Sequence, residues 1–341
     1  MAKPKILFLL KYREVYSQGY GQHMSSGLAN SCRFVADMLS AKGYPVNVEH
    51  AVDGNCIDRL VTLHKPDVVI IEAYWVTPDK LKELIKLHKK VKWVVRNHSE
   101  VPFLACEGIA VKWSAEYIQL GVWVASNSKK TLLDLQTITR SPFDTKFLTY
   151  LPNYYPTGTH VPAKQPMSKQ IDISCFGAIR PLKNQLIQAM AAIRFADDLK
   201  LQLNFHMNGT RIESNGNPVY HNLRDLFDKN RYHKLVLHDW LPHDKFVALA
   251  SQMHLCMQVS FSESFNIVAA DHCVGGVPIV ASEDVVWLNR MIWPDSTDTE
   301  SIVRHMHFAL VNPFQPTRNL KQLTAYSAAT AIQWDKVLAA I

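Results

Sequence analysis

Short apolar runs alternate along this chain with longer stretches of helical period. Ile6–Leu10 is an unbroken apolar run and predicts a strand, and after a polar loop the period changes to predict a helix from about Ser25 to Ala41. Val46–Val48 is a short β-rich segment. Asp67-Val68-Val69-Ile70-Ile71 is almost wholly apolar, the pattern of a strand buried on both faces. Leu81, Leu84, Ile85 and Leu87 recur at helical spacing with lysines between them, which predicts a helix over Leu81–Lys90. Val91–Val95 and Val122–Ala125 read as further strands. Strand–helix alternation of this kind predicts an α/β fold with a parallel, doubly wound sheet.

The alternation breaks near Leu151-Pro152-Asn153-Tyr154-Tyr155-Pro156, and residues 156–169, with three prolines, read as a linker. A second series then begins. Ile171–Phe176, Leu201–Met207, Leu235–Leu237, Leu255–Val259 and Pro278–Ala281 predict strands, and Gln185–Ala196, Asp244–Ser251 and Ser264–Val274 predict helices. Leu323–Ile341 is again helical. The expected architecture is two Rossmann-like domains whose parallel sheets face a central cleft. Ligands in such sheets bind beyond the carboxyl ends of the strands.

Composition narrows the class. With 48% hydrophobic and 20% charged residues, the 341-residue chain is a folded one. No apolar run approaches the roughly 18 residues of a membrane-spanning helix. The apolar stretch after Lys5 is too short for a signal peptide, and no small-residue cleavage site follows it. Six cysteines form no CxxC pair, and no histidine cluster has zinc spacing, so reduced thiols and a cytoplasmic location are expected. Net charge is +7, and residues 1–155 carry 20 Lys and Arg against 14 Asp and Glu, so nearly all the excess lies in the first half.

Two segments carry candidate chemistry. Ser260-Phe261-Ser262-Glu263-Ser264-Phe265-Asn266-Ile267 follows an apolar strand and opens the helix predicted over Ser264–Val274, whose N-terminal amides suit a phosphate. Glu263 and Asp271 are eight residues apart, about 12 Å along a helix. That span could bracket a nucleotide sugar, but from spacing alone an ordinary helix with an acidic first turn and a solvated Asp271 is the preferred account. Phe176-Gly177-Ala178-Ile179-Arg180-Pro181-Leu182-Lys183 leaves the first strand of the second series. Gly177 permits a tight exit, and Arg180 and Lys183 could neutralise a diphosphate. Two solvated loop cations are the plainer account of that pair.

Taken in order, these segments resemble the retaining GT-B glycosyltransferases of group 1, which includes glycogen synthase and the mannosyltransferases. Gly177, Arg180 and Lys183 match the family's first motif. Glu263, Phe265 and Asp271 match its second, and Gly276, Pro278 and Ile279 its third. Asn153, Ser126-Asn127-Ser128 and Trp240-Leu241 also stand in family order, so the resemblance spans most of the chain. Asn266 replaces the usual Gly, and Asp271 the usual Glu. The loop Gly19-Tyr20-Gly21 is not a clean double Gly.

The resemblance implies that residues 1–155 bind the acceptor and residues 170–322 a nucleotide sugar, with the helix at about 323–341 packing back on the first domain. It implies transfer with retention and no bound cofactor beyond the nucleotide-sugar co-substrate; with no D-x-D motif in the chain, Arg180, Lys183 and the helix N-terminus are expected to serve in place of a metal. Arg180 and Lys183 would stabilise the leaving diphosphate, Glu263 would orient the donor sugar and Asp271 the ribose. Gly21, Gly177, Asn208, Trp240, Leu241, Phe265, Asn266 and Ile267 would complete the donor site. His98, in Arg96-Asn97-His98-Ser99-Glu100 after a strand, falls where the family has a histidine near the reaction centre; a loop histidine bonded to backbone is an equal account. Glu72, Tyr74, Trp75 and Tyr20 would line the acceptor side, although aromatics there also suit domain packing.

For the acceptor, six lysines at 80, 82, 86, 89, 90 and 92 stand out. A solvated face is the usual fate of such a run. Against it stand two partners: DNA carrying hydroxymethylated bases, as in phage DNA modification, and an anionic membrane bearing a lipid-linked or envelope glycan. DNA is favoured, since the helix's few apolar residues are expected to face the sheet. A nucleotide-sugar-binding protein without catalysis, and an epimerase on the same fold, are the rival classes.

Overall fold

The structure, a computed structural model, describes residues 3–12, 26–139, 145–158 and 167–341. The sequence forms two compact units, Met1–Pro156 with Tyr326–Ile341, and Thr157–Ala325. Each is a parallel sheet with helices between successive strands.

In the first unit the elements run β1 (Ile6–Lys11), α1 (Gly27–Ala41), β2 (Val46–Ala51), α2 (Cys56–His64), β3 (Val68–Glu72), α3 (Pro78–Leu87), β4 (Lys92–Asn97), α4 (Val101–Leu104), α5 (Ala110–Gln119), β5 (Trp123–Ser126), α6 (Lys129–Ile138) and β6 (Leu148–Tyr150). The sheet order is β2-β1-β3-β4-β5-β6. Parallel sheets carry helices on both faces, so their central strands are apolar throughout. In β1, Leu7 and Leu9 enter one core while Ile6, Phe8 and Leu10 enter the other. In β3, Val69 and Ile71 join the first, and Val68 and Ile70 the second.

In the second unit β7 (Gln170–Ser174), α7 (Gln185–Asp198), β8 (Gln202–Asn208), α8 (Asn217–Lys229), β9 (Lys234–His238), α9 (His243–Ala250), β10 (Leu255–Gln258), α10 (Ile267–Val274), β11 (Ile279–Ala281) and α11 (Thr299–Val311) form a sheet of order β11-β10-β7-β8-β9. A last helix, α12 (Gln315–Ala340), begins in the second unit and ends in the first. It starts eight residues ahead of the helix expected from Leu323, because Gln315 is buried and bonds both the amide and the carbonyl of Ile279. The two-sheet α/β class is the expected one.

Local signals explain the helix starts. Ser26 caps α1 by accepting from the Ala29 amide at 3.1 Å. Thr77 caps α3 in the same way, and Pro78 takes the first turn. Leu81 and Leu84 of α3 are fully buried, while Lys82 and Lys86 are exposed. All six cysteines are free. Among the described residues no helix is long and apolar enough to cross a membrane.

The C-terminal turns of α12 complete the first unit's core. Trp334 is fully buried, 6.0 Å from Phe8 between ring centroids, and its indole N–H donates to the Pro152 carbonyl at 2.9 Å. Asp335 pairs with Lys42 and accepts from the Tyr44 hydroxyl. Trp334→Ala should remove about 3–5 kcal/mol by the cavity it leaves. Urea denaturation followed through the first unit should show an earlier midpoint; an unchanged midpoint would mean that α12 adds little to this core.

Candidate active site

Strand order places the polar residues. In the second sheet the chain starts at the central β7, runs out through β8 and β9, and returns to the other side as β10 and β11. The loops after β7 and β10 therefore leave neighbouring strands in opposite directions and open a crevice at their carboxyl ends. The two loops are also tied together. Asn184, in the left-handed conformation at φ 56°, donates to the carbonyls of Val259 (3.0 Å) and Ser296 (2.8 Å). Phe261 N–H donates to the Leu182 carbonyl, and Val259 N–H to the Gln188 side chain.

This stitching brings Lys183 and Glu263 together as an ion pair, with Ser260 Oγ donating to Glu263 at 2.9 Å. Both side chains are largely buried, so Lys183 is not the solvated loop cation its position suggests. Arg180 stands 3.9 Å from Glu213, which also binds Arg211 Nε at 2.6 Å. The Arg211 guanidinium lies over the Trp240 ring at 4.6 Å. Gly177 takes φ +126°, open only to glycine at low strain, and its amide donates to Asn208 Oδ1 at 2.9 Å. Asn208 in turn donates to the Asp239 carbonyl, so it links the ends of three strands.

Three expectations are corrected here. Helix α10 starts at Ile267, not Ser264, so Glu263 lies on the loop before it and the 12 Å helical span does not apply. The cause is Asn266, which holds φ 60° and caps the helix by accepting from the Ala269 amide at 2.9 Å. Asn is one of the few residues besides Gly that enters this region readily, which accounts for its standing where the family pattern has Gly. Phe265 does not present its ring to a ligand: it is 2% exposed and packs on Trp287, whose indole donates to the Phe265 carbonyl. Asp271 is not a solvated acid either. It is 3% exposed and pairs with His243 Nε2 at 2.8 Å. Ile267 and the turn residues Trp240 and Leu241 are half-buried.

In the first unit, β3 and β4 end side by side, Glu72 opposite Arg96. Both are fully buried. Arg96 donates to both Glu72 oxygens (3.1 and 3.2 Å), to the carbonyls of Leu151 (2.9 Å) and Pro152 (3.0 Å), and to Asn153 Oδ1. His98 Nε2 bonds Glu72 Oε2. Burial pushes the imidazole's pKa down and nearby Arg96 adds to this, although Glu72 opposes it. Burial alone would raise the Glu72 pKa, but Arg96 and His98 hold it below the usual carboxylate range. The acid is therefore the counter-charge of an interior arginine and does not line an open acceptor wall. Tyr74 is likewise engaged. Its hydroxyl bonds Ser114 Oγ at 2.8 Å, its ring meets Tyr117, and burial pushes its pKa up to about 12. The Trp75 indole donates to the Glu72 carbonyl at 3.1 Å. Tyr20 and Gly21 lie outside the described residues. No motif marks Arg96 in the sequence; a lone arginine closing the uncharged run Trp93-Val94-Val95 is the available signal.

No family model matches the chain, and no curated protein matches it in sequence. Solved structures do. Sucrose-phosphate synthase from Thermosynechococcus elongatus superposes with a TM-score of 0.70 at 13% identity, over 98% of this chain and 98% of that one. The N-terminal domain of Candida albicans trehalose-6-phosphate phosphatase gives 0.71 at 11%, over 98% and 97%. Anabaena HepE, solved in complex with UDP and glucose, gives 0.63 at 14%, over 99% and 100%. The likeness shows the fold: this chain has the two-sheet GT-B fold.

The His243–Asp271 pair gives a pH signature. Burial pulls the His243 pKa down, but the hydrogen bond and charge of Asp271, with Asp244, outweigh it and leave it raised. The pair's stabilisation is therefore complete below the unfolded value of about 6.5 and is lost as pH rises through the higher native value. Thermal melts of the native protein and His243→Gln should diverge at about pH 5.5 and converge by about pH 8.5. A gap that stays constant or widens with pH would exclude this pairing.

Proposed function

We propose that this protein is a retaining, metal-independent glycosyltransferase using a nucleoside-diphosphate sugar. The observation that carries the reading is the Lys183–Glu263 ion pair where the second sheet reverses direction, with Arg180 three residues before Lys183 on the same loop and beside Glu213. A diphosphate entering there meets two cations and takes Lys183 from Glu263. The released carboxylate then accepts from a sugar hydroxyl. Gly177 leaves its Cα open to close approach, as nothing stands within 4 Å of the place a Cβ would occupy. Asp271 accepts from the ribose in exchange for His243, and Trp240 and Leu241 border the base.

In the transfer, the anomeric C–O bond to the diphosphate breaks as the acceptor oxygen bonds the same face of the carbon. The acceptor proton passes to the departing diphosphate oxygen. Arg180 and Lys183 stabilise the charge that builds there, and His98 serves the donor sugar near the reacting carbon. HepE has been solved with UDP and with UDP-glucose, which makes uridine diphosphate sugars the first donors to try.

Arg180→Ala and Lys183→Ala should each lower turnover of a UDP-sugar about 10²–10³-fold with unchanged circular dichroism, and the native rate should persist in EDTA. Near-normal rates in both variants would remove these residues from the leaving-group site. Loss of activity in EDTA would assign that role to a cation.

The acceptor reading is DNA with hydroxymethylated bases. It is supported by the exposed lysines of α3 and its following turn. The buried Leu81 and Leu84 leave Leu87 as the helix's exposed apolar residue, which argues against insertion into a lipid surface. Duplex DNA should bind with an affinity that falls steeply with salt, and anionic liposomes should not bind. Liposome binding alone would transfer the reading to a lipid or envelope acceptor, and binding to neither would leave a small soluble one.

A further inference from the structure

We propose that Gln188 is a positioning residue for Lys183: its buried side-chain amide clamps the Lys183 peptide to the end of β10 and so sets how that lysine reaches Glu263 and an entering diphosphate. The inference rests on the reading that Lys183 meets the donor.

Two main-chain groups are left over where β10 ends and α7 begins. The Val259 N–H follows the last residue of its strand, and the Lys183 carbonyl lies ahead of the first helical residue, Gln185. Main-chain groups away from water cost free energy unless something pairs them. Gln188, in the first turn of α7 and fully buried, pairs both. Its Nε2 donates to the Lys183 carbonyl at 2.8 Å and to the Asn184 carbonyl at 3.3 Å, and its Oε1 accepts from the Val259 N–H at 2.8 Å. Two carbonyls on one side and an N–H on the other allow a single orientation of the amide. A neutral amide suits the place, since it donates and accepts in the interior without bringing a charge. Gln185, three residues earlier, has the same side chain but donates to the Ala178 carbonyl, within its own loop.

Other bonds hold the residues on either side. The Phe261 N–H donates to the Leu182 carbonyl at 2.9 Å, and Asn184 Nδ2 to the Val259 carbonyl at 3.0 Å. These ties keep the path of the two loops without Gln188. The peptide that joins Lys183 to Asn184 is the part that Gln188 holds. The Lys183 ammonium sits on a flexible four-carbon stem, so its meeting with Glu263 depends on the backbone at the foot of that stem being fixed. Glu263 in turn lies four residues after Val259, and one planar amide thus sets the spacing between the two strands of chain that carry the pair.

The test compares Gln188→Met, which keeps the volume and loses all three bonds, with Gln188→Asn, whose amide is one methylene too short to span the two loops. The second variant keeps the test open should the first fail to fold. Acetylation of the full chain, read by mass spectrometry with the exposed Lys82 as reference, should label the paired and largely buried Lys183 slowly in the native protein and faster in both variants. UDP affinity measured by calorimetry should fall about tenfold in either variant. That fall should vanish when Lys183→Ala is already present, because nothing is then left to position. Unchanged labelling of Lys183 in variants with native circular dichroism overturns the proposal. An equal loss of UDP affinity with and without Lys183 overturns it too, by marking Gln188 as general support of the crevice. Faster labelling, together with a Lys183→Ala variant that binds UDP as the native protein does, supports the positioning and removes Lys183 from the diphosphate site.

Discussion

Parallel strand pairing is the constraint from which the rest of this molecule follows. Parallel strands need crossover helices, the helices cover both faces of each sheet, and the strand interiors must then be apolar on both sides. Leu7, Phe8, Val69 and Ile70 are all fully buried for this reason. Polar chemistry is left with the strand ends. Glu72, Arg96 and Asn208 are each at or next to the last residue of a strand, and Gly177 and Glu263 follow within five residues of one. Strand order then decides which ends become neighbours. The reversal at β7 and β10 makes partners of Lys183 and Glu263, which are 80 residues apart in the chain.

A second regularity is that the candidate charges are already paired. Lys183 has Glu263, Arg96 has Glu72, and Asp271 has His243. Withdrawing a charge from water without a partner costs several kcal/mol, so largely buried ionic side chains settle on one another. The pairs differ in what they can do. Arg96 is bound on all sides and can exchange nothing, which suits a structural cation that fixes its neighbours. Lys183 is held by a single carboxylate on a loop, and an incoming anion can replace that carboxylate at little electrostatic cost. In the proposed reaction the donor diphosphate takes the place of the Glu263 carboxylate beside Lys183.

The strands were legible in the sequence because burial on both faces leaves long apolar runs; β1, β3 and β7 lie within a residue or two of their expected bounds. Helices with a narrow apolar stripe were not. Helix α8 buries only Leu223 and Phe227 among thirteen residues, and its composition reads as a loop. Candidate residues were legible as positions, while their contacts were not. Phe265 belongs to a motif, yet what it touches is Trp287, 22 residues on. Arg96 carries no motif at all. Its significance comes from Asn153 and Trp334, which only the folded chain brings to it.

Asn266 shows what an ordered set of weak motifs transmits. The expected glycine is absent, but the backbone dihedral that a glycine would serve is present, and the Asn side chain adds a helix cap that glycine lacks. The motif is thus a demand on φ and ψ, and either residue meets it. The neighbouring change works differently. Asp271 is one methylene shorter than the glutamate it replaces, and His243 reaches it directly from the first turn of α9. A shorter acid already engaged by an imidazole cannot extend as far toward a ribose. In the proposed donor site, recognition at this corner would therefore draw the sugar closer to α10 or move His243 aside. Since the His243 proton is what makes the existing contact strong, the corner is more readily vacated at high pH than at low.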